Sequence, residues 1–138
     1  MPLGIIIVDH GSRSAESNAL LHEVVDRFTR RFAGRYPIVE PAHMELAEPS
    51  VDTAYGRCVD RGADELIVCP FFLGPGKHWQ SDIPALAARA AKCFPQTTHT
   101  VAAPLGVDEL MLKLLDKRIG EAIATRHQPA TAAAANLE

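Results

Sequence analysis

Apolar runs alternate along this chain with segments whose apolar residues recur at helical spacing. Residues 3–8 and 65–72 are almost continuously apolar, which is typical of strands buried on both faces of a sheet. Leu21, Val25 and Phe28 recur at the three- to four-residue spacing of a helix, with charged residues between them. The whole pattern predicts strands at about 3–9, 37–45, 65–72 and 97–102 and helices at about 15–33, 50–62, 81–94 and 108–123.

Four strands, each followed by a helix, are typical of an α/β fold. We therefore expect a four-stranded parallel sheet flanked by helices on both faces. A chain of 138 residues is long enough for one hydrophobic core, and we expect a single domain over residues 1–126. Residues 127–138 are rich in alanine and lack apolar periodicity, so we expect them to form a disordered tail.

Composition and charge narrow the range of partners and compartments. The net charge of −3 and the pI of about 6.1 argue against non-specific binding to nucleic acid. The longest apolar run is far shorter than the ~20 residues that span a bilayer, so no membrane partner is expected. Cys58, Cys69 and Cys93 form no C-x-x-C pattern, which favours a reducing compartment. Because residues 1–3 lead directly into the first strand, no targeting segment is expected.

Two histidines lie in glycine-bearing loops that directly follow predicted strands. His10 follows the first strand and precedes Gly11, and His78 follows the third strand in the loop Leu73-Gly74-Pro75-Gly76-Lys77-His78. Parallel strands end at one edge of their sheet, where α/β proteins bind ligands. We therefore expect the two imidazoles to meet at this edge, where each could bind a transition metal or accept a proton. A structural role is the alternative for either histidine.

The segment after the second strand contributes further candidates. Glu45 lies in an apolar stretch and is harder to explain as a surface charge than Glu48, which would suit the start of a helix. His43 alternates with Glu45 along the predicted strand, and a structural role for His43 is as plausible as a functional one. Asp9, at the end of the first strand, could orient His10 or accept hydrogen bonds from loop amides.

Several common catalytic motifs are absent from the sequence. It contains no phosphate-binding G-x-x-x-x-G-K-[ST], no G-x-G-x-x-G after the first strand and no G-x-S-x-G nucleophile elbow. A hydrolase that uses Asp9, His10 and Ser12 is disfavoured, because neighbouring side chains on an extended chain point apart.

Three sequence blocks resemble one known family. They comprise residues 10–13 with Asn18, residues 43–50, and residues 70–79 with residues 82–84. In this order they resemble the short class II tetrapyrrole chelatases, which insert cobalt, nickel or iron into sirohydrochlorin. The second and third blocks are most similar to the ferrochelatases of the sirohaem pathway. The resemblance extends over about residues 4–124.

The resemblance implies a chelatase-like half-domain that inserts a divalent metal without ATP. It implies metal-binding, catalytic histidines at His10 and His78 and a substrate-binding glutamate at Glu45. The family's loop that contacts the macrocycle falls on Leu73, Gly74, Pro75, Gly76 and Lys77. Sirohydrochlorin carries eight carboxylates, for which Arg13, Lys77 and the amides at the helix starts near Ser14 and Ser81 are natural partners. Which histidine accepts the proton stays open.

The resemblance also implies a homodimer, because short members resemble half of the longer two-domain chelatases. The metal (Fe2+ first, Co2+ or Ni2+ otherwise) is a substrate, and no other cofactor is expected. Plant relatives hold an iron–sulfur cluster in a cysteine-bearing extension, whereas this chain ends in alanines, so no iron–sulfur cluster is expected. We expect a cytoplasmic protein, or a stromal one if it is from a plant. The competing hypothesis is a carrier that binds metal or tetrapyrrole without turnover.

Overall fold

The computed structural model of this chain describes residues 2–74 and 79–126, with the side chains of residues 79 and 80 excepted. Within these ranges strands and helices alternate as predicted. The strands are β1 (Leu3–Asp9), β2 (Ile38–His43), β3 (Glu65–Pro70) and β4 (Thr98–Val101), and the helices are α1 (Ala15–Arg31), α2 (Val51–Asp60), α3 (Trp79–Lys92) and α4 (Glu109–Thr125). The third helix thus begins two residues before the predicted start at residue 81.

The strands form one parallel sheet in the order β2-β1-β3-β4. This arrangement confirms the predicted four-stranded α/β fold. β1 is central, and its last residue, Asp9, is paired in register with His43, the last residue of β2. On the other side of β1, the Phe71 amide just after β3 donates to the Val8 carbonyl at 2.7 Å. The loops that follow β1, β2 and β3 therefore leave the sheet side by side.

Helices cover both faces of the sheet, because successive strand residues point to opposite faces. On one face, Ile6, Val8 and Leu66 pack with fully buried Tyr55 of α2 and Ala87 of α3. On the other face, the β1 residues Ile5 and Ile7 pack against Leu21 and Val25 of α1. Both faces of β1 are consequently buried, as its continuously apolar sequence predicted.

Side-chain caps fix the starts of α1 and α2, the helices that follow β1 and β2. Ser14 accepts a hydrogen bond from the Ser17 amide at 3.4 Å at the start of α1. Ser50, the predicted cap of α2, accepts one from the Thr53 amide at 3.2 Å. These bonds satisfy amides that have no partner within the helix.

The chain divides into two compact units, Met1–Gly106 and Val107–Glu138. The described part of the second unit is α4, which Asp108 caps by accepting from the Leu110 amide at 2.9 Å. No residue of α4 is buried. The predicted domain over residues 1–126 stays a prediction, and the predicted tail, residues 127–138, lies outside the described residues. None of the described helices is long and apolar enough to cross a bilayer.

Candidate active site

His10 lies directly after β1, where the ends of the first and third strands meet. Its half-buried ring lies with its centroid 5.4 Å from that of Phe72, two residues beyond β3. The ring borders a cavity of about 330 Å³ between this strand edge and α1. The other residues that line the cavity are Asp9, Gly11, Ser12, Ser17, Asn18, Leu20, Leu21, Val24 and Phe71. The predicted placement of His10 at the carboxyl edge of the sheet is confirmed.

The loop backbones after β1 and β2 are in direct contact. The Met44 amide donates to the Asp9 carbonyl at 2.9 Å, and the Glu45 amide donates to the His10 carbonyl at 3.2 Å. Gly11 has φ +86°, and a Cβ atom at this position would lie 1.9 Å from the Glu45 carbonyl oxygen. Only glycine therefore permits this approach. The structure thus brings His10 and Glu45 together through their backbones.

Glu45 is exposed and borders a second cavity, of about 310 Å³, on the α3 side of the same edge. Asp82 and Arg89 of α3 line this cavity as well, and Arg89 also forms an ion pair with Asp52 at 2.7 Å. Arg89 is not among the predicted site residues, because it is one of several charges on a surface helix and only the packing of α3 places it in this cavity. A larger cleft of about 610 Å³ lies elsewhere, along β2, and contains neither His10 nor Glu45.

His43 is fully buried, and its Nδ1 lies 2.6 Å from Oδ1 of Asp9. The same Asp9 oxygen accepts the Gly11 amide at 3.0 Å. Of the two roles suggested for Asp9, orienting His10 or accepting hydrogen bonds from loop amides, the structure shows the second. His43 and Glu45 do not share an environment, because β2 ends at His43 and its alternation does not extend to Glu45.

Glu48 belongs to the start of α2. Its carboxylate accepts hydrogen bonds from the Thr53 hydroxyl at 2.7 Å and from the Ser50 amide at 3.2 Å. These two hydrogen bonds, of which the one from Thr53 has the larger effect, lower the pKa of Glu48 below its usual range. Glu48 is therefore the helix-start acid that its sequence position suggested, and Glu45 is the carboxylate at the candidate site.

Asn18 braces the loop that follows His10. Its side chain accepts from the Ser12 amide at 2.9 Å and donates to the Ser12 carbonyl at 2.8 Å. The Ser12 hydroxyl accepts the Ser14 amide at 2.9 Å. Because Ser12 is engaged at the start of α1 and Asp9 with His43, the geometry disfavours the hydrolase reading. Arg13, in the same loop, is exposed.

The third-strand loop is described only as far as residue 74. Leu73 and Gly74 are exposed, and the Leu73 carbonyl accepts the Gly106 amide at 2.8 Å. The predicted site residues Pro75, Gly76, Lys77 and His78 lie outside the described residues. The predicted approach of His78 to His10 therefore stays a prediction.

The described residues at this edge offer mainly nitrogen and oxygen atoms as metal donors. Burial raises the pKa of the Cys58 thiol to about 12 and also raises the pKa of Cys69. Over residues 2–74 and 79–126, no three His, Cys, Asp or Glu side chains come together as a metal site.

Comparison with known proteins shows one family. The model of the CbiX family matches residues 4–122. The chain is 54% identical over 116 residues to the chloroplastic sirohydrochlorin ferrochelatase of Arabidopsis thaliana, covering 84% of this chain and 51% of that one. It is 28% identical over 122 residues to the sirohydrochlorin cobaltochelatase of Sulfolobus acidocaldarius, covering 88% and 94%.

A solved structure shares the fold. SirB from Bacillus subtilis with Fe3+ superposes with a TM-score of 0.80 at 28% identity, over 88% of this chain and 47% of that one. This chain therefore spans about half the length of the Arabidopsis and Bacillus relatives and nearly the whole length of the Sulfolobus relative.

Proposed function

Because this chain belongs to the CbiX family, we propose that it inserts a divalent metal ion into sirohydrochlorin without ATP, as a chelatase of the lyase class. Ferrous iron, giving sirohaem, is the proposed metal, since the relative with 54% identity is a ferrochelatase. Cobalt is the alternative, because other relatives are cobaltochelatases. The observation that carries the proposal is the pairing of the His10 and Glu45 backbones at the open edge of the sheet.

Metal insertion requires two events that these side chains can assist. The macrocycle must lose two pyrrole N–H protons, and the incoming ion must exchange its water for ring nitrogens. A neutral imidazole can accept a proton or hold the ion, and His10 and His78 are the proposed pair for both tasks. Two or three weak protein ligands leave coordination positions open for the ring, unlike a closed structural site. The exposed Glu45 is proposed to face the substrate beside His10.

The carboxylates of the macrocycle require cationic partners and hydrogen-bond donors. Arg13 and Lys77, the loop residues Leu73, Gly74, Pro75 and Gly76, and the helix starts near Ser14 and Ser81 are proposed to bind them. Arg89, which also pairs with Asp52, adds a cation in the cavity of about 310 Å³ that Glu45 lines. The cations suit the peripheral carboxylates of this polyanion, whereas Glu45 suits the pyrrole N–H groups at its centre. No resident cofactor, and in particular no iron–sulfur cluster, is part of the proposal.

We further propose that two copies of the chain associate as a homodimer. Exposed apolar side chains recur along α4 at helical spacing: Leu112, Leu115, Ile119 and Ile123. An exposed apolar helix face of this kind supports an interface with a second copy. Two copies would also match the length of the Arabidopsis relative, of which this chain covers 51%. The cytoplasm or, as the chloroplastic relative suggests, the plastid stroma is the proposed location.

The experiment that tests the activity compares three metals side by side. Purified protein is incubated anaerobically with sirohydrochlorin and Fe2+, Co2+ or Ni2+, and the absorption spectrum of the macrocycle is followed against protein-free mixtures. We expect insertion to be faster with protein for at least Fe2+ or Co2+, and the ratio of the rates identifies the preferred ion. If the rate equals the spontaneous rate with all three ions, the proposed function is wrong.

A further inference from the structure

The Asp9–His43 pair adjoins His10 and Glu45. His43 is fully buried, whereas Asp9 is partly exposed and lines the same cavity as His10. We propose that His43 is a positioning residue, which acts through Asp9 to hold the backbone of His10 against that of Glu45. This inference concerns the same site as the proposed function and rests on it for its kinetic consequences. Its structural consequence, at the Gly11 amide, can be measured independently of any activity.

The peptide unit between His10 and Gly11 is held at both ends. Its carbonyl oxygen, from His10, accepts the Glu45 amide at 3.2 Å. Its N–H group, from Gly11, donates to Oδ1 of Asp9 at 3.0 Å. A peptide unit is planar, so two hydrogen bonds at opposite ends fix its orientation. The direction in which the His10 side chain leaves the backbone is then fixed relative to Glu45.

His43 holds the Asp9 carboxylate that accepts the Gly11 amide. Asp9 side-chain atoms are only 23% exposed, and Oδ1 lies 2.6 Å from Nδ1 of His43, whose side chain is fully buried. The Nε2 atom of His43 is buried and has no hydrogen-bond partner within the described part of the chain. A hydrogen atom on Nε2 would therefore be buried without an acceptor, so we place the ring hydrogen on Nδ1. His43 consequently donates to Asp9, and the same carboxylate oxygen accepts the Gly11 amide.

The strand register explains why this pair falls at the site. Asp9 and His43 are opposite each other in the last rung of the β1–β2 pairing, and backbone hydrogen bonds from Met44 and Glu45 extend the pairing by two residues. A side-chain bond in the last rung therefore stabilises the point where the two loops diverge. Without it, the Asp9 carboxylate could rotate away from the Gly11 amide, and the His10–Gly11 peptide would be held at one end only.

Three substitutions of His43 separate hydrogen bonding from packing. His43→Asn places an amide N–H group close to the position of Nδ1 and keeps the donor. His43→Gln places its amide nearer the position of Nε2, and His43→Leu keeps bulk without a donor. We expect Gly11 amide hydrogen exchange, followed by NMR, to be at least tenfold faster in His43→Leu and His43→Gln than in the wild type. We expect His43→Asn to stay within threefold of the wild type.

The kinetic readout distinguishes positioning from general damage to the fold. Groups that orient a metal ligand are typically worth about 10–100-fold in activity, so kcat for insertion should fall by that factor in His43→Leu and His43→Gln. KM for sirohydrochlorin should change less than about threefold, because no substrate-binding group is removed. His43→Asn should recover most of kcat. If His43→Leu does not fold, the comparison of His43→Asn with His43→Gln carries the same test.

Two results would overturn the inference. One is unchanged Gly11 exchange and kcat in both His43→Leu and His43→Gln. The other is a His43→Asn variant as impaired as His43→Leu, because the donor to Asp9 would then be irrelevant. If the wild type shows no insertion with any metal, the proposed function fails, while the Gly11 exchange rates still decide whether His43 holds the loop.

Discussion

Replacing Gly11 with alanine should disrupt the contact between the His10 and Glu45 loops. Gly11 has φ +86°, which costs a non-glycine residue about 1–2 kcal/mol. The added Cβ atom would lie 1.9 Å from the Glu45 carbonyl oxygen, whereas real Cβ atoms essentially never come within 3.0 Å. The two backbones must therefore separate by about an ångström, which would weaken the Glu45–His10 hydrogen bond. The free energy of unfolding should fall by about 2–4 kcal/mol in total.

A second glycine supplies a matched control for this substitution. Gly62, after α2, also has a positive φ, +105°, but nothing lies within 4 Å of a Cβ atom built on it. Gly62→Ala should therefore cost only the conformational strain, about 1–2 kcal/mol. Urea unfolding of both variants measures the two costs, and their difference reports the steric conflict between the loops.

The functional consequence of Gly11→Ala should be larger than its effect on stability. A displacement of about 1 Å between catalytic groups can lower a rate about 100-fold, so kcat for metal insertion should fall by that order. Gly62→Ala, which lies at the opposite end of α2 from the site, should retain kcat. If Gly11→Ala costs no more stability than Gly62→Ala and keeps its kcat, the described contact between the two loops is wrong.

Four further outcomes are expected. His10→Ala should lower kcat for insertion by about 10²-fold or more and leave the urea midpoint nearly unchanged, and a fully active variant would remove His10 from the proposed site. Tyr55→Phe should lower the free energy of unfolding by about 1 kcal/mol by removing the 2.6 Å hydrogen bond to Thr97, with insertion unaffected, and an unchanged stability would contradict that bond. Burial raises the pKa of Cys58 from 9.0 to about 12, so the unfolded thiol ionises first as pH rises and Cys58 should lower stability by up to about 1.4 kcal/mol per pH unit between those values. Cys58→Ala should make this slope shallower but not abolish it, because the pKa of Cys69 is raised as well, and an unchanged slope would contradict the burial of Cys58. Ile119→Glu should convert the proposed dimer to a monomer in light scattering, whereas Lys117→Glu should not, and a wild-type monomer would refute the dimer.

The strands β1 and β3 were predictable from the sequence because the side chains on both of their faces are mainly apolar. The predicted strand at residues 3–9 coincides with β1, Leu3–Asp9. The second strand was predicted at residues 37–45 but ends at His43, where the regular pairing with β1 stops. Beyond it, two backbone hydrogen bonds persist, from Met44 to Asp9 and from Glu45 to His10. Local apolar pattern does not report where such pairing becomes irregular.

The candidate site was predictable only in part. The edge at which His10 and Glu45 lie follows from the rule that parallel strands end together. Their direct backbone contact depends on the register of β1 with β2 and on a glycine with positive φ, neither of which the local pattern specifies. Arg89 lines the same cavity as Glu45 only because of the packing of α3, so no signal near the predicted motifs indicated it.

A multiple-turnover time course tests the central claim most directly. Sirohydrochlorin and Fe2+ are supplied anaerobically in at least tenfold excess over the protein, and sirohaem formation is followed to completion. A chelatase converts many macrocycles per chain at a rate proportional to protein concentration, and His10→Ala loses this rate. Conversion that stops at one product per chain would identify a carrier of metal or tetrapyrrole and would contradict the proposed enzyme.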